Sequence, residues 1–141
     1  TDGAGAGEYR GGSGCVRTYR SMNENQSFTA SFGRNKWPVW GAAGGKDGSI
    51  NYFQFHDADG TASEPMGIVA RRVMNTNDVV RMVTATGGGY GDPLRRDPAK
   101  VAMDVKNEYI TAEQAKADYG VIVDPDTFEV TGFTPEREAV K

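Results

Sequence analysis

Nineteen of the 141 residues are glycine, nearly twice the ~7% average of globular chains, and they fall in clusters without a fixed period. Glycine loses more backbone freedom on folding than any other residue and offers no side chain to a core. A chain so rich in it must therefore use it for tight turning, at positive φ or packed beneath an aromatic ring. The first cluster is Gly3, Gly5, Gly7, Gly11, Gly12 and Gly14 around Tyr9 and Arg10. The second lies in the run Trp37-Pro38-Val39-Trp40-Gly41 with Gly44, Gly45 and Gly48. That stretch is too rich in Gly and Pro for a regular element and too aromatic for a loose linker. An ordered loop packed on something apolar is expected there, with Trp37 and Trp40 in a core or an interface. The third cluster is Thr86-Gly87-Gly88-Gly89-Tyr90-Gly91-Asp92-Pro93.

Between the clusters the sequence reads as short strands. Cys15 to Arg20 alternates with the period of two of a half-buried strand, and Ser27 to Phe32 puts Phe28, Ala30 and Phe32 on one face. Asn51 to His56 sets Phe53 and Phe55 opposite Tyr52, Gln54 and His56, and Asp57 to Gly60 forms a tight turn. Ile68 to Val73 and Val79 to Thr84 follow as strands around a turn at Asn75–Asp78. The C-terminal third changes period. Asp97-Pro98 opens a helix with Val101, Val105 and Tyr109 every four residues on one face. Thr111 to Gln114 is a capping box for a second helix, Gly120 ends it, and Val121 to Val123 is a final apolar strand. The fold class is mainly β (α+β): a short-stranded antiparallel β-sandwich or barrel-like module followed by two helices and a final strand. It forms one domain over 1–141, divided into a β-rich part (1–86), a glycine-rich loop (87–93), two helices (97–120), and a final strand with a charged tail (121–141).

Composition narrows the function classes. Apolar residues make up 38% of the chain, below the usual ~45–50%, so the core is modest and a partner surface is expected to supply the rest. A net charge of −3 lacks the clustered cationic excess on which nucleic-acid affinity rests. No run of about 18 apolar residues exists to span a bilayer, and a cytoplasmic location is expected. Cys15 stands alone and is expected buried and inert, with no disulfide and no multi-cysteine zinc site.

Candidate chemistry is sparse. The glycines at 87–91 could turn amides toward an anion, but the Gly-Lys-Ser/Thr ending and the dinucleotide spacing are both missing, so a structural loop is the expectation. His56 lies beside Asp57 and Asp59, yet Ile68 occupies the position where a calcium loop needs Glu, and no nucleophile signature accompanies the histidine. Arg71-Arg72 and Arg95-Arg96 read as solvated or paired with carboxylates. No catalytic or metal residues are expected. Structural or interface roles fall to Trp37, Trp40, Gly44, Gly45, Gly87, Gly88, Gly89, Tyr90, Gly91 and Asp92.

Four stretches together resemble the C-terminal portion of the hydantoinase B/oxoprolinase family: Gly5 to Gly14 running into Val16–Tyr19; Trp37 to Gly41 with Gly44-Gly45-Lys46 and Gly48; Gly87 to Pro93; and Asp97-Pro98 through Ala117-Asp118-Tyr119-Gly120-Val121. Thr86 stands where the family usually has proline, and Asn77-Asp78 replaces a Gly-Asp turn. The resemblance implies work with a hydantoinase A-type partner that uses ATP to activate a carbonyl or amide. It implies no cofactor in this chain, with ATP and Mg²⁺ in that partner. Further, it implies a small, non-catalytic subunit that completes the B-type half of a carboxylase similar to acetophenone carboxylase, contacting both hydantoinase A-type and B-type subunits. A split subunit of a cyclic-amide hydrolase, or an independent anion-binding module, are the alternatives.

Overall fold

The computed structural model describes residues 3–140 and contains seven short strands and three short helices among them. Two compact units are distinguished: 14–38 with 50–85, and 1–13 with 39–49 and 86–141.

The first unit is all β. Strands β1 (Val16–Arg20), β5 (Val79–Val83) and β3 (Tyr52–His56) form an antiparallel sheet with β5 in the middle. Strands β2 (Gln26–Ser31) and β4 (Ile68–Met74) form a two-stranded one. The alternation on β3 is realised: Phe53 and Phe55 are fully buried with Val69, Met74 and Val80. Phe32 stacks on Phe53 at 4.3 Å between centroids, while Phe28 sits edge-on to both Phe53 and Phe55. No closed barrel forms among the described residues. A bulge opposite Thr29 puts Arg71 at φ 52°, and the Thr29 hydroxyl accepts from the Arg71 amide. Two turns follow the sequence. Gly60 donates to the Asp57 carbonyl at 2.8 Å, and Asn77 takes the left-handed conformation (φ 73°) that asparagine tolerates.

Two expectations fail in this unit. β1 is exposed along its whole length, and Cys15 is exposed as well. The reason is where the core forms: the aromatic cluster is built on β3, β5, β2 and β4 and takes no residue from β1, so the alternation of β1 marks a strand without marking a covered face.

The second unit holds the helices. α1 (Pro98–Lys106) begins at Asp97, whose carboxylate accepts from the Ala99 amide at 2.9 Å. α2 (Ala112–Tyr119) carries the complete Thr111/Gln114 capping box and ends at Gly120, φ 65°. Val101, Val105, Ile110, Ala115, Tyr119, Val121 and Val123 form its core. Tyr109 does not continue the α1 face. The helix stops at Lys106, Glu108 turns to φ 58°, and the Tyr109 ring is 44% exposed. Beyond β6 (Val121–Val123), the expected charged tail is ordered: Asp124 accepts from the amides of Asp126 and Thr127, β7 (Val130–Phe133) pairs with β6, and α3 (Pro135–Glu138) follows. Arg137 fastens this end by donating to the Tyr119 and Arg96 carbonyls. No described helix is long and apolar enough to cross a membrane.

Candidate functional site

The three glycine clusters converge in the second unit as extended backbones lying side by side. Tyr9 and Tyr90 exchange both backbone hydrogen bonds at 2.9 Å, an antiparallel bridge, and Tyr90 also pairs with Ala42 in a parallel one. Around this bridge Gly5 donates to the Gly87 carbonyl, Lys46 to Ala6, Ala42 to Gly89, and Gly11 to Gly5, all at 2.7–2.9 Å. The result is a backbone ladder with almost no side chains between its rungs.

This explains the glycines differently from the sequence. Of Gly87, Gly88, Gly89 and Gly91, Gly91 alone has positive φ (77°). At Gly88 an added Cβ would run into the Trp40 carbonyl, and at Gly89 into the carbonyl of Ala6. The constraint is close approach of backbones, which no rotamer change relieves. Gly44 (φ 94°) turns the middle segment, and Gly45 lies against the Gly89 carbonyl. Thr86 is buried, its amide donating to the Ser49 hydroxyl and its own hydroxyl to the Gly3 carbonyl, both at 2.9 Å. Proline there would lose the amide bond.

An anion cradle needs amides free to point at the ligand. Within 87–91, Gly87 donates to Gly12, Gly89 to Lys46, Tyr90 to Tyr9 and Gly91 to Ala42. Asp92 is likewise engaged, accepting from the Leu94 amide at 2.9 Å to cap a 3₁₀ turn at Pro93–Arg95.

The tryptophans do not pack into the chain's own cores. Trp37, in the all-β unit, is 76% exposed and Trp40, on the ladder, 66%. The segment 39–48 is held by its backbone bonds, so the Trp40 indole is left outside. Tyr9 and Tyr90 are exposed as well.

Sequence reasoning missed a buried charge cluster beneath the ladder. Arg96 donates to Asp104 at 2.9 Å and to the Glu8 carbonyl at 3.1 Å, and the Arg10 Nε lies 3.6 Å from the same carboxylate. The three side chains are only 10–12% exposed, and Arg10 also covers the Tyr109 ring at 4.9 Å. A signal existed: Asp104 follows Val101 by three residues, on the buried stripe of α1, where a carboxylate requires a cation. The neighbouring Tyr119 hydroxyl is pushed up to about 12, chiefly by burial, against the opposing pull of Arg96.

Other candidates stay apart from this region. His56 ends β3, and Arg72 pairs with Asp57 at 3.4 Å while covering Phe55. No group of three His, Cys, Asp or Glu among the described residues is arranged to hold a metal. A cleft of about 660 Å³ lies in the helical unit between Leu94, Lys116 and Gly120, and across its rim Lys46 and Asp118 neutralise each other at 2.6 Å.

Comparison with known proteins agrees with the motif-level resemblance. The model for Hydantoinase B/oxoprolinase matches residues 1–93. The B component of a putative D-/L-hydantoinase from Pseudomonas sp. (strain NS671) is 31% identical over 120 residues, 83% of this chain and 20% of that protein. The beta component of caprolactamase from Pseudomonas jessenii is 34% identical over 131 residues, 88% of this chain and 22% of its own. The solved ATP-dependent caprolactamase from the same organism superposes with a TM-score of 0.71 at 32% identity, covering 88% of this chain and 22% of that one. A nucleotide-free acetone carboxylase structure superposes at 0.69 over 99% of this chain and 22% of its own, at 20% identity, a likeness of fold alone. The chain thus spans about a fifth of the length of the curated relatives it matches. Motifs, fold and comparisons agree that this chain belongs to the hydantoinase B/oxoprolinase family.

Proposed function

We propose that the chain is a non-catalytic structural component of the B-type half of an ATP-dependent, multi-subunit enzyme. In that enzyme a hydantoinase A-type partner holds ATP and Mg²⁺, and a B-type polypeptide supplies the remainder of this half. The observation that carries the reading is the occupation of the Gly87, Gly89, Tyr90 and Gly91 amides by other backbone segments, which favours a packing element over a phosphate site. That same observation weighs against an independent anion-binding module.

For the reaction, hydrolysis of a cyclic amide is favoured, because relatives above 30% identity are described as hydantoinase and caprolactamase subunits. Carboxylation of an aromatic ketone with bicarbonate, of the acetophenone carboxylase type, is the second reading. It rests on the family resemblance of the four matched stretches. A cytoplasmic location goes with both.

The test is reconstitution with the A-type and B-type polypeptides of the same genome, assayed with ATP. Hydantoin, 5-oxoproline and caprolactam serve as substrates in one series, acetophenone with bicarbonate in the other. ATP-dependent ring opening only when all chains are present supports the leading reading, and carboxylation alone selects the second. Turnover by the purified chain by itself, lost on His56→Ala, would overturn the non-catalytic role.

A further inference from the structure

We propose that Tyr9, Tyr90 and Trp40 are the centre of a docking face for the body of a hydantoinase B-type polypeptide, the portion of the family's length that this chain does not match. The inference rests on the B-type assignment proposed for the chain and adds to it the surface and the anchors.

The exposure of these rings follows from the ladder. Tyr9 and Tyr90 are tied to each other through both amides and both carbonyls, and directly opposed residues of an antiparallel pair project to the same side. Their rings lie 6.3 Å apart. Ala42 pairs with Tyr90 from the other side, and Trp40, two residues before Ala42 along the same segment, falls on that face by the alternation of extended chain. The opposite side of the ladder is taken: Arg10 reaches Asp104, and the Glu8 carbonyl accepts from Arg96. The rings therefore cannot turn inward, and Gly88 and Gly89, just before Tyr90, bring no side chain of their own to the ladder.

At 57–66% exposure each, and with ~150–250 Å² buried by a fully covered aromatic side chain, the three rings offer roughly 300–450 Å² of contact. That is about half of one side of a standard interface at ~800 Å² per partner. Tyrosine and tryptophan on a rigid support are also the residue types that anchor interface centres. The occupant follows from the comparisons. All three aromatics lie within the family-matched stretch 1–93, and in the B-type relatives the matching region is 20–22% of a longer polypeptide. An exposed aromatic face of this kind suits a macromolecular surface, since a small ligand would require a concavity.

The experiment coexpresses the full chain with the B-type polypeptide of the same genome. Native mass spectrometry reports the complex and hydroxyl-radical footprinting the three rings. The Tyr9→Ser/Tyr90→Ser variant is compared alongside, its fold checked by melting temperature. Expected are a stoichiometric complex, protection of all three aromatics relative to the free chain, and an affinity at least tenfold weaker in the variant at unchanged melting temperature. Should the variant unfold, footprinting of the wild-type complex decides. A complex in which the three rings stay as reactive as in the free chain would overturn the docking face while leaving the B-type reading intact. Absence of any complex with the B-type polypeptide would remove both. Protection of the rings by self-association of the chain, seen by sedimentation without the B-type polypeptide, would also overturn the proposal.

Discussion

Asp104 is the residue on which the buried charges of the helical unit depend, because two guanidinium groups converge on its one carboxylate. Removing one member of a buried ionic cluster strands the others, typically at about 3–5 kcal/mol. Asp104→Ala should therefore lower the unfolding free energy by about that amount, against about 1 kcal/mol for an exposed carboxylate. Urea denaturation measures it, and a loss below ~1 kcal/mol would show that Arg10 and Arg96 are hydrated in place. Tyr119 makes a pH prediction. Its folded pKa, about 12, lies above the ordinary value of 10. The folded state thus binds the proton more tightly, and this contribution is complete below pH 10 and lost as pH rises from 10 through 12. Over that window the wild type should lose roughly 2–3 kcal/mol more stability than Tyr119→Phe. Parallel pH profiles for the two proteins would count against a buried, neutral phenol.

At the scale of elements, the helices were readable because their signals are local. Asp97 with Pro98, the Thr111/Gln114 box and Gly120 each specify a terminus within four residues, and each forms as the sequence implied. Thr111→Ala should cost ~1 kcal/mol through the lost cap. Gly120→Ala should cost roughly 2 kcal/mol or more, since φ 65° is unfavourable for a Cβ and the new atom would meet Thr134 Oγ1 at 2.8 Å. Thermal denaturation ranks the two, and equal small losses would refute the left-handed cap. The Phe53/Phe55 face of β3 was equally legible. What eluded the sequence depends on partners distant along the chain. β1 reads as half-buried until the core is seen to form without it. Trp37 and Trp40 read as core or interface residues, and nothing local shows that neither enters the chain's own cores. Gly88 and Gly89 read as turn residues, because nothing local reveals that Trp40 and Ala6 lie against them. The buried Arg10 was hidden for the same reason, although Asp104 on the α1 stripe pointed to a missing cation.

At the scale of the molecule, three glycine clusters scattered over the first two-thirds of the chain build one ladder, which supports the cluster of Arg10, Arg96 and Asp104 on one side and exposes aromatics on the other. Low apolar content and high glycine content thus have a common origin, in a region stabilised by backbone hydrogen bonding more than by side-chain burial. The most direct measurement on this ladder is a calorimetric melt of Gly88→Ala, combined with titration of ATP and of inorganic phosphate. With backbone on both sides of Gly88, the variant should be destabilised by roughly 3 kcal/mol, beyond the ~1 kcal/mol of glycine–alanine propensity, and neither protein should bind phosphate through this loop. An unchanged melting temperature together with phosphate or nucleotide binding present in the wild type and lost in Gly88→Ala would contradict a packing role and make the loop a ligand site.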